Sequence, residues 1–324
     1  MSSVVPSVVP AIAADLLSDP GIDAAQNPQA LAVAAATDRR GGMARLSPVL
    51  RAVAAGAAAL DAIAPTLSTE LMLRHFTRPR RKPGGDYREQ LPDGCQRIEL
   101  DHDGDTLTGW VWGAGTSGPS ALLVHGWEDH SGSMLSFVQP LRRLGYVVYA
   151  LDAPGHGLSP RVATHLLDTS IALERMVGAF GPFASIVAHS YGAAATCLMI
   201  ERNPALTPER LSLIAPMQDL DQHLQVFADI ALLSPARAAR LRDRVEMLIG
   251  RPTREICALR AAGRIRVPSL VIHDAHDPVI PVSSGVSIAR QLPGARFFPT
   301  ARLGHRRVLK CQNVLGEILR HHRA

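Results

Sequence analysis

The chain has 324 residues, 47% of them hydrophobic, enough for one large domain with a sizeable buried core. Its net charge of +5 is carried almost wholly by arginine, Lys82 and Lys310 being the only lysines, and no basic run is interleaved with the sparse aromatics (4%). That argues against a nucleic-acid partner, and the densest basic patch, Arg78 to Lys82, reads as a solvated connector.

The first ten residues lack the basic region of a signal peptide, although a weaker signal-like reading begins at Met43 with Arg45 and Arg51 after it. Residues 1–42 read as a disordered extension, and 43–85 as an N-terminal helical segment and connector, helical over 46–76. The apolar stretch from Val49 to Leu67 holds Arg51, Asp61 and Pro65, so no stable membrane insertion is expected. None of the four cysteines, Cys95, Cys197, Cys257 and Cys311, falls in a C-x-x-C pair or a zinc-spaced cluster. Reduced thiols in a cytoplasmic protein are expected, with Cys197 and Cys257 as small core residues and no metal site.

Residues 86–324 read as one α/β domain. Strands are expected at 97–100 and 106–112, joined by an Asp103-Gly104-Asp105 turn. From Ala121 strands and helices alternate. The strands fall at 121–125, 146–151, 183–189, 210–215, 269–274 and 295–299, and the helices at 133–144, 165–180, 191–202, 282–292 and 306–321. Several strands are continuous apolar runs, the pattern of a mostly parallel central sheet buried on both faces by helices. About 217–266 interrupts this rhythm with a helical insertion, where Leu220, Leu224, Phe227, Ile230 and Leu233 share one apolar face. The insertion follows the C-terminal end of a strand, where such sheets place their sites, so it is expected to act as a lid.

The chemistry concentrates on Ala188-His-Ser-Tyr-Gly192, where a strand runs straight into a helix. A sharp turn there would lift Ser190 out of the fold, with Ala188 and Gly192 small enough for the crowded backbone. A serine hydroxyl is a poor nucleophile near neutral pH and needs a base and an oxyanion site. Asp277 and His305 both follow strand ends, so both can reach Ser190 at one edge of the sheet, with Asp274 as the rival carboxylate. The turn His125-Gly126-Trp127 ends another strand, and the amides of Trp127 and Tyr191 would face the developing negative charge. His125, Gly126, Met217, Leu224 and Phe227 are the candidates for lining a substrate pocket. His189 is expected to be structural and His276 exposed. Glu128, Asp129 and His130 read as solvated loop residues, and Asp152 and Ser159 as bracing their own turn.

These motifs resemble the α/β-hydrolase superfamily in its serine-nucleophile, esterase- and lipase-like branch. They are His125-Gly126-Trp127, Asp152-Ala-Pro-Gly-His-Gly-Leu-Ser159, Ala188-His-Ser-Tyr-Gly192, His273-Asp-Ala-His-Asp277-Pro and Gly304-His305. The likeness covers about residues 95–322 and departs at Ala188, where the motif has glycine. It implies attack on an acyl carbon by Ser190, with His305 as base and then acid, and Asp277 orienting the imidazole. The expected activity is cleavage of carboxylic esters of small acyl substrates, with no cofactor. The same residues would serve a thioesterase, an amidase or small peptidase, or an acyltransferase, and a non-catalytic binding protein on the same fold is the remote alternative. Serine at the elbow disfavours aspartate-nucleophile relatives.

Overall fold

The computed structural model describes residues 56, 58–80, 87–160 and 162–323. The expected disordered extension and the start of the first helix lie outside them.

Eight strands form one sheet in the order β1-β2-β4-β3-β5-β6-β7-β8. They are β1 (Cys95–His102), β2 (Asp105–Trp112), β3 (Ser120–Val124), β4 (Val147–Leu151), β5 (Ser185–His189), β6 (Arg210–Ile214), β7 (Ser269–Asp274) and β8 (Arg296–Thr300). The first two pair as an antiparallel hairpin, β2 is antiparallel to β4, and every later pairing is parallel. Asp103 and Gly104 turn the hairpin with φ of 53° and 87°, the double positive φ of a tight two-residue turn. β5 and β7 are buried along their whole length, as strands covered on both faces must be.

The N-terminal helix differs from expectation. Residues 58–63 are helical, Ala64 leaves the helix at φ −141° and ψ 71°, and α1 (Pro65–Thr77) begins anew. A proline ring clashes with a helical conformation in the residue before it, so Pro65 breaks the run while starting the next helix well. Further on come α2 (Val138–Arg143), α3 (Leu166–Phe180) and α4 (Tyr191–Arg202). Between β6 and β7 lie α5 (Leu220–Ile230), α6 (Pro235–Ile249) and α7 (Ala258–Ala262); after β7 come α8 (Val282–Gln291), the short α9 (Gly304–Arg307) and α10 (Gln312–Arg323). The helix expected over 306–321 is thus divided by a 3₁₀ turn at Val308–Lys310, whose Val308 and Leu309 are buried.

One core cluster joins residues of α3, α4, α7 and α8 to one face of the sheet; a second joins α2 and α10 to the other. The expected lid segment divides in two. Asp219 caps α5 by accepting from the Gln222 amide, and α6 starts at Ser234-Pro235 and stops at Gly250 in the left-handed region (φ 75°). By contrast Ala258, Ala261 and Ala262 of α7 are fully buried in the core cluster, so this end belongs to the layer over the sheet. Leu220 and Leu224 are buried, but Ile230 at the end of α5 is exposed, because the chain turns away at Leu232 (φ 53°). Cys197 is buried, whereas Cys257 is only half-buried and caps α7, its Sγ accepting from the Arg260 amide at 3.4 Å. Among the described residues no helix is long and apolar enough to cross a membrane.

Candidate active site

Parallel strands deliver their C-terminal ends to one edge of the sheet. The loops carrying His125 to Glu128, Asp152 to Ser159, Ser190, Met217, Asp277 and His305 follow β3, β4, β5, β6, β7 and β8 there.

Ser190 occupies φ 53° and ψ −117° between β5 and α4. A non-glycine residue held so stores on the order of 1–3 kcal/mol of backbone strain. Its amide is held by the Ile214 carbonyl at 2.8 Å, and its carbonyl accepts from Ala193 and Ala194 of the following helix. The small neighbours have steric causes. A Cβ on Gly192 would lie 2.2 Å from the His125 carbonyl oxygen, and one on Gly126 would lie 3.2 Å from Ser190 Cβ.

Three side chains form a hydrogen-bonded series. The Ser190 hydroxyl and His305 Nε2 are 2.9 Å apart, and His305 Nδ1 lies 2.6 Å from Asp277 Oδ2. The other Asp277 oxygen accepts from the Val279 and Ile280 amides at 2.8 and 3.0 Å. His273 Nε2 lies 3.6 Å from Oδ2, with its own hydrogen bond to the Ile280 carbonyl at 3.0 Å. Burial works to raise the Asp277 carboxyl, but the bonds and charge of His273 and His305 outweigh it and hold the group well below the ordinary carboxylate range. An ionised carboxylate on Nδ1–H leaves Nε2 free to accept the serine proton.

Asp274, the rival carboxylate, takes other partners: the Thr300 hydroxyl at 2.9 Å, the His276 amide at 2.9 Å and the Leu303 amide at 3.0 Å. It ties the β7 loop to the loop that carries His305. His189 also acts on that loop, its Nε2–H donating to the His305 carbonyl at 3.0 Å. Burial, with His305 nearby, pushes the His189 imidazole well below its usual range, so it stays neutral. His276 is exposed as expected.

His125 is spent on its own turn: Nδ1 bonds the Gly126 carbonyl at 2.8 Å and Nε2 accepts from the Ala153 amide at 3.1 Å. Asp152 braces more than its turn, reaching the Leu158 amide, both the amide and hydroxyl of Ser131, and the Tyr87 hydroxyl, all within 2.8 Å. Ser159 donates to the Asp152 carbonyl at 2.6 Å. The acidic pair after Trp127 is not solvated as expected. Asp129 is buried, and Glu128 at φ 53° takes a two-point contact from Arg80, at 2.8 and 3.2 Å.

Trp127 and Tyr191, the two expected oxyanion residues, meet through their rings at 5.0 Å. Of the pocket candidates, Gly126 abuts Ser190, and the Met217 amide reaches the Ser190 carbonyl at 3.5 Å. Met217 and Leu224 are buried in the core, while Phe227 is half-buried against Phe76. Sequence reasoning passed over His223, whose ring lies 4.9 Å from Trp127 and 5.3 Å from Tyr191. It falls on the same helical stripe as Leu220, Leu224 and Phe227, and a histidine on an apolar stripe was the available signal.

One group of metal-ligating side chains occurs among the described residues, His102, Asp103 and Asp168 at the end of β1 and the start of α3. Its members are engaged elsewhere. His102 bonds Asp168 at 2.7 Å, and Asp103 bonds the Arg175 guanidinium at 2.5 Å, a cation that opposes a second one.

Strand order, the strained serine and the three-residue series describe a hydrolase of the α/β class. The Alpha/beta hydrolase family model matches residues 121–311, so the chain belongs to that family and is an enzyme of its esterase type. It is similar to the pimeloyl-[acyl-carrier protein] methyl ester esterase of Chromobacterium violaceum, 27% identical over 58% of this chain and 87% of that protein. Its fold is similar to an esterase of Pyrococcus furiosus, with a TM-score of 0.58, 16% identity, and coverage of 75% of this chain and 97% of that one. It is also similar to Est1E of Butyrivibrio proteoclasticus, at a TM-score of 0.54 and 15% identity, covering 69% and 98%.

Proposed function

We propose that the protein is a serine esterase that cleaves carboxylic esters of small acyl substrates through an acyl-serine intermediate. The observation that carries this reading is the series Ser190–His305–Asp277, with its 2.9 and 2.6 Å bonds. As Ser190 Oγ attacks the ester carbonyl, His305 Nε2 takes its proton, and Asp277 stabilises the imidazolium that forms. The imidazolium then gives that proton to the departing alkoxide, leaving the acyl group on Ser190. Water, deprotonated by the same nitrogen, attacks the acyl-enzyme and releases the acid, restoring the serine.

The tetrahedral oxyanion would be held by two amides. Tyr191 opens α4, so its N–H has no carbonyl one turn back to bind and lies at the positive end of the helix. Trp127 follows the Gly126 that abuts Ser190. Each such donor contributes roughly 10²–10³-fold in rate. The relative named a methyl ester esterase adds support for the carboxylic-ester reading.

The test is pre-steady-state hydrolysis of a p-nitrophenyl ester. The reading expects a burst of p-nitrophenol wherever deacylation is the slower step, and a loss of at least ~10³-fold in turnover for His305→Ala. Undiminished turnover in that variant would contradict it.

A further inference from the structure

Phe76 lies near the end of α1, outside the span that matches the family model. Its ring is 2% exposed and stands edge-on to two rings of α5, His223 at 5.0 Å and Phe227 at 5.4 Å. His223 in turn touches Trp127 and Tyr191; Tyr191 follows Ser190, and Trp127 follows the Gly126 that abuts it. A continuous series of rings therefore leads from the N-terminal helix to Ser190. Trp127, His223 and Phe227 keep accessible surface, whereas Phe76 behind them has almost none. His223 makes no side-chain hydrogen bond among the described residues, and burial pulls its imidazole down to about 4, so this wall is uncharged near neutral pH.

Phe76 is also held from both sides. Toward α6, Asp61 bonds Arg240 at 2.5 and 2.6 Å and Glu70 bonds Arg244 at 2.5 Å. Toward the serine loops, the Thr77 carbonyl accepts from the Thr164 amide at 2.7 Å, and Arg80 grips Glu128, the neighbour of Trp127. Pro79 lies so close over Gly155 that a Cβ there would meet its ring at 3.1 Å. The segment thus crosses from the α5–α6 hairpin to the β3 and β4 loops, and Phe76 is the ring it buries in that crossing.

We propose that Phe76, standing behind His223, backs the ring wall beside Ser190 and thereby sets how long an acyl chain the enzyme accepts. The proposal rests on the serine-esterase reading. It assigns a specificity role to a residue contributed from outside the family core, positioned by the Asp61, Glu70 and Arg80 contacts.

The experiment compares wild type, Phe76→Leu and Phe76→Trp on p-nitrophenyl esters of increasing acyl length. The readout is the ratio of kcat/KM for long over short chains within each preparation, which does not move with the fraction of protein folded. Shortening the side chain should raise that ratio about tenfold, and enlarging it should lower the ratio, since a methylene in an apolar pocket is worth roughly this much. Ratios equal to wild type in both variants would overturn the proposal. Calorimetric titration with straight-chain fatty acids of increasing length reads the pocket without chemistry. If wild type hydrolyses none of the esters, a shift of the binding optimum between the variants upholds the pocket while the serine reading fails, and an unshifted optimum overturns the pocket as well. Hydrolysis with unchanged ratios sinks the pocket alone.

Discussion

Two carboxylates three residues apart, Asp274 and Asp277, do different work because of what each accepts. Asp277 meets the Nδ1–H of His305, whereas Asp274 holds a hydroxyl and two amides of the loops around it. Asp277→Asn should therefore lower kcat by about 10³–10⁴-fold by favouring the wrong imidazole tautomer. Asp274→Ala should act chiefly on stability. It leaves buried donors unmatched, costs about 2–3 kcal/mol of stability, and reduces activity only through loosening of the His305 loop. Urea unfolding and steady-state kinetics on both variants check this; equal kinetic damage would contradict the assignment. The Asp277 carboxyl is depressed in the folded protein. Its contribution to stability is thus complete above the unfolded value of about 3.9 and fades only as pH falls below it.

At the scale of elements, the elbow and the C-terminal helix each invite a test. Gly192 has no room for a Cβ, because the obstruction is the His125 backbone at 2.2 Å. Gly192→Ala should cost at least ~1–3 kcal/mol in urea unfolding, while Ala188→Gly should cost less than ~1 kcal/mol. A harmless Gly192→Ala would contradict the tight approach of the β3 loop. On α10, His322 sits between adjacent strands, its two ring nitrogens each 2.9 Å from the hydroxyls of Ser185 and Ser212. Burial, with His321 and Arg210 nearby, brings its value down to about 3. An unfolded imidazole binds its proton near pH ~6.5, so the unfolded chain gains the proton first. His322 therefore supports the fold fully above that pH, and the support is lost as pH falls toward 3. Between pH 7 and 5 this residue should account for about 2 kcal/mol of lost stability. His322→Gln should flatten the pH dependence of the urea midpoint by that amount, and an unchanged slope would count against the buried neutral imidazole. The strands around these sites were legible because parallel strands buried on both faces leave unbroken apolar runs, as in Ile186 to Ala188 and Leu270 to Ile272. Ser190 and Asp277 follow such runs, whereas His305 follows the shorter and less buried β8, so it was placed by the Gly304-His305 loop after the last strand. The break at Ala64 could be read from Pro65, yet helical spacing on both sides of it masked the signal. Phe76 was not legible at all, since its contacts with His223 and Phe227 join segments far apart in sequence.

For the whole molecule, the sheet places loops from six strands at one edge, and the N-terminal helical segment packs against the α5–α6 hairpin. The N-terminal helix is tied to that hairpin by Asp61 and Glu70 and to the β3 loop by Arg80. Ion pairs that keep contact with solvent, as these half-buried ones do, contribute about 1 kcal/mol each, and the Phe76 proposal gives them the task of aligning that ring. Arg244→Ala should leave the urea midpoint within about 1 kcal/mol of wild type; a larger loss would mean that α1 is integral to the stability of the domain. The central claim concerns Ser190, whose hydroxyl is bonded to His305 at 2.9 Å on a strained turn. A fluorophosphonate probe, which phosphonylates only an activated serine, tests it most directly by intact-mass spectrometry. The account predicts one probe adduct per wild-type chain, mapped to Ser190 and absent from Ser190→Ala. An unlabelled wild type, or full labelling of Ser190→Ala, would contradict it.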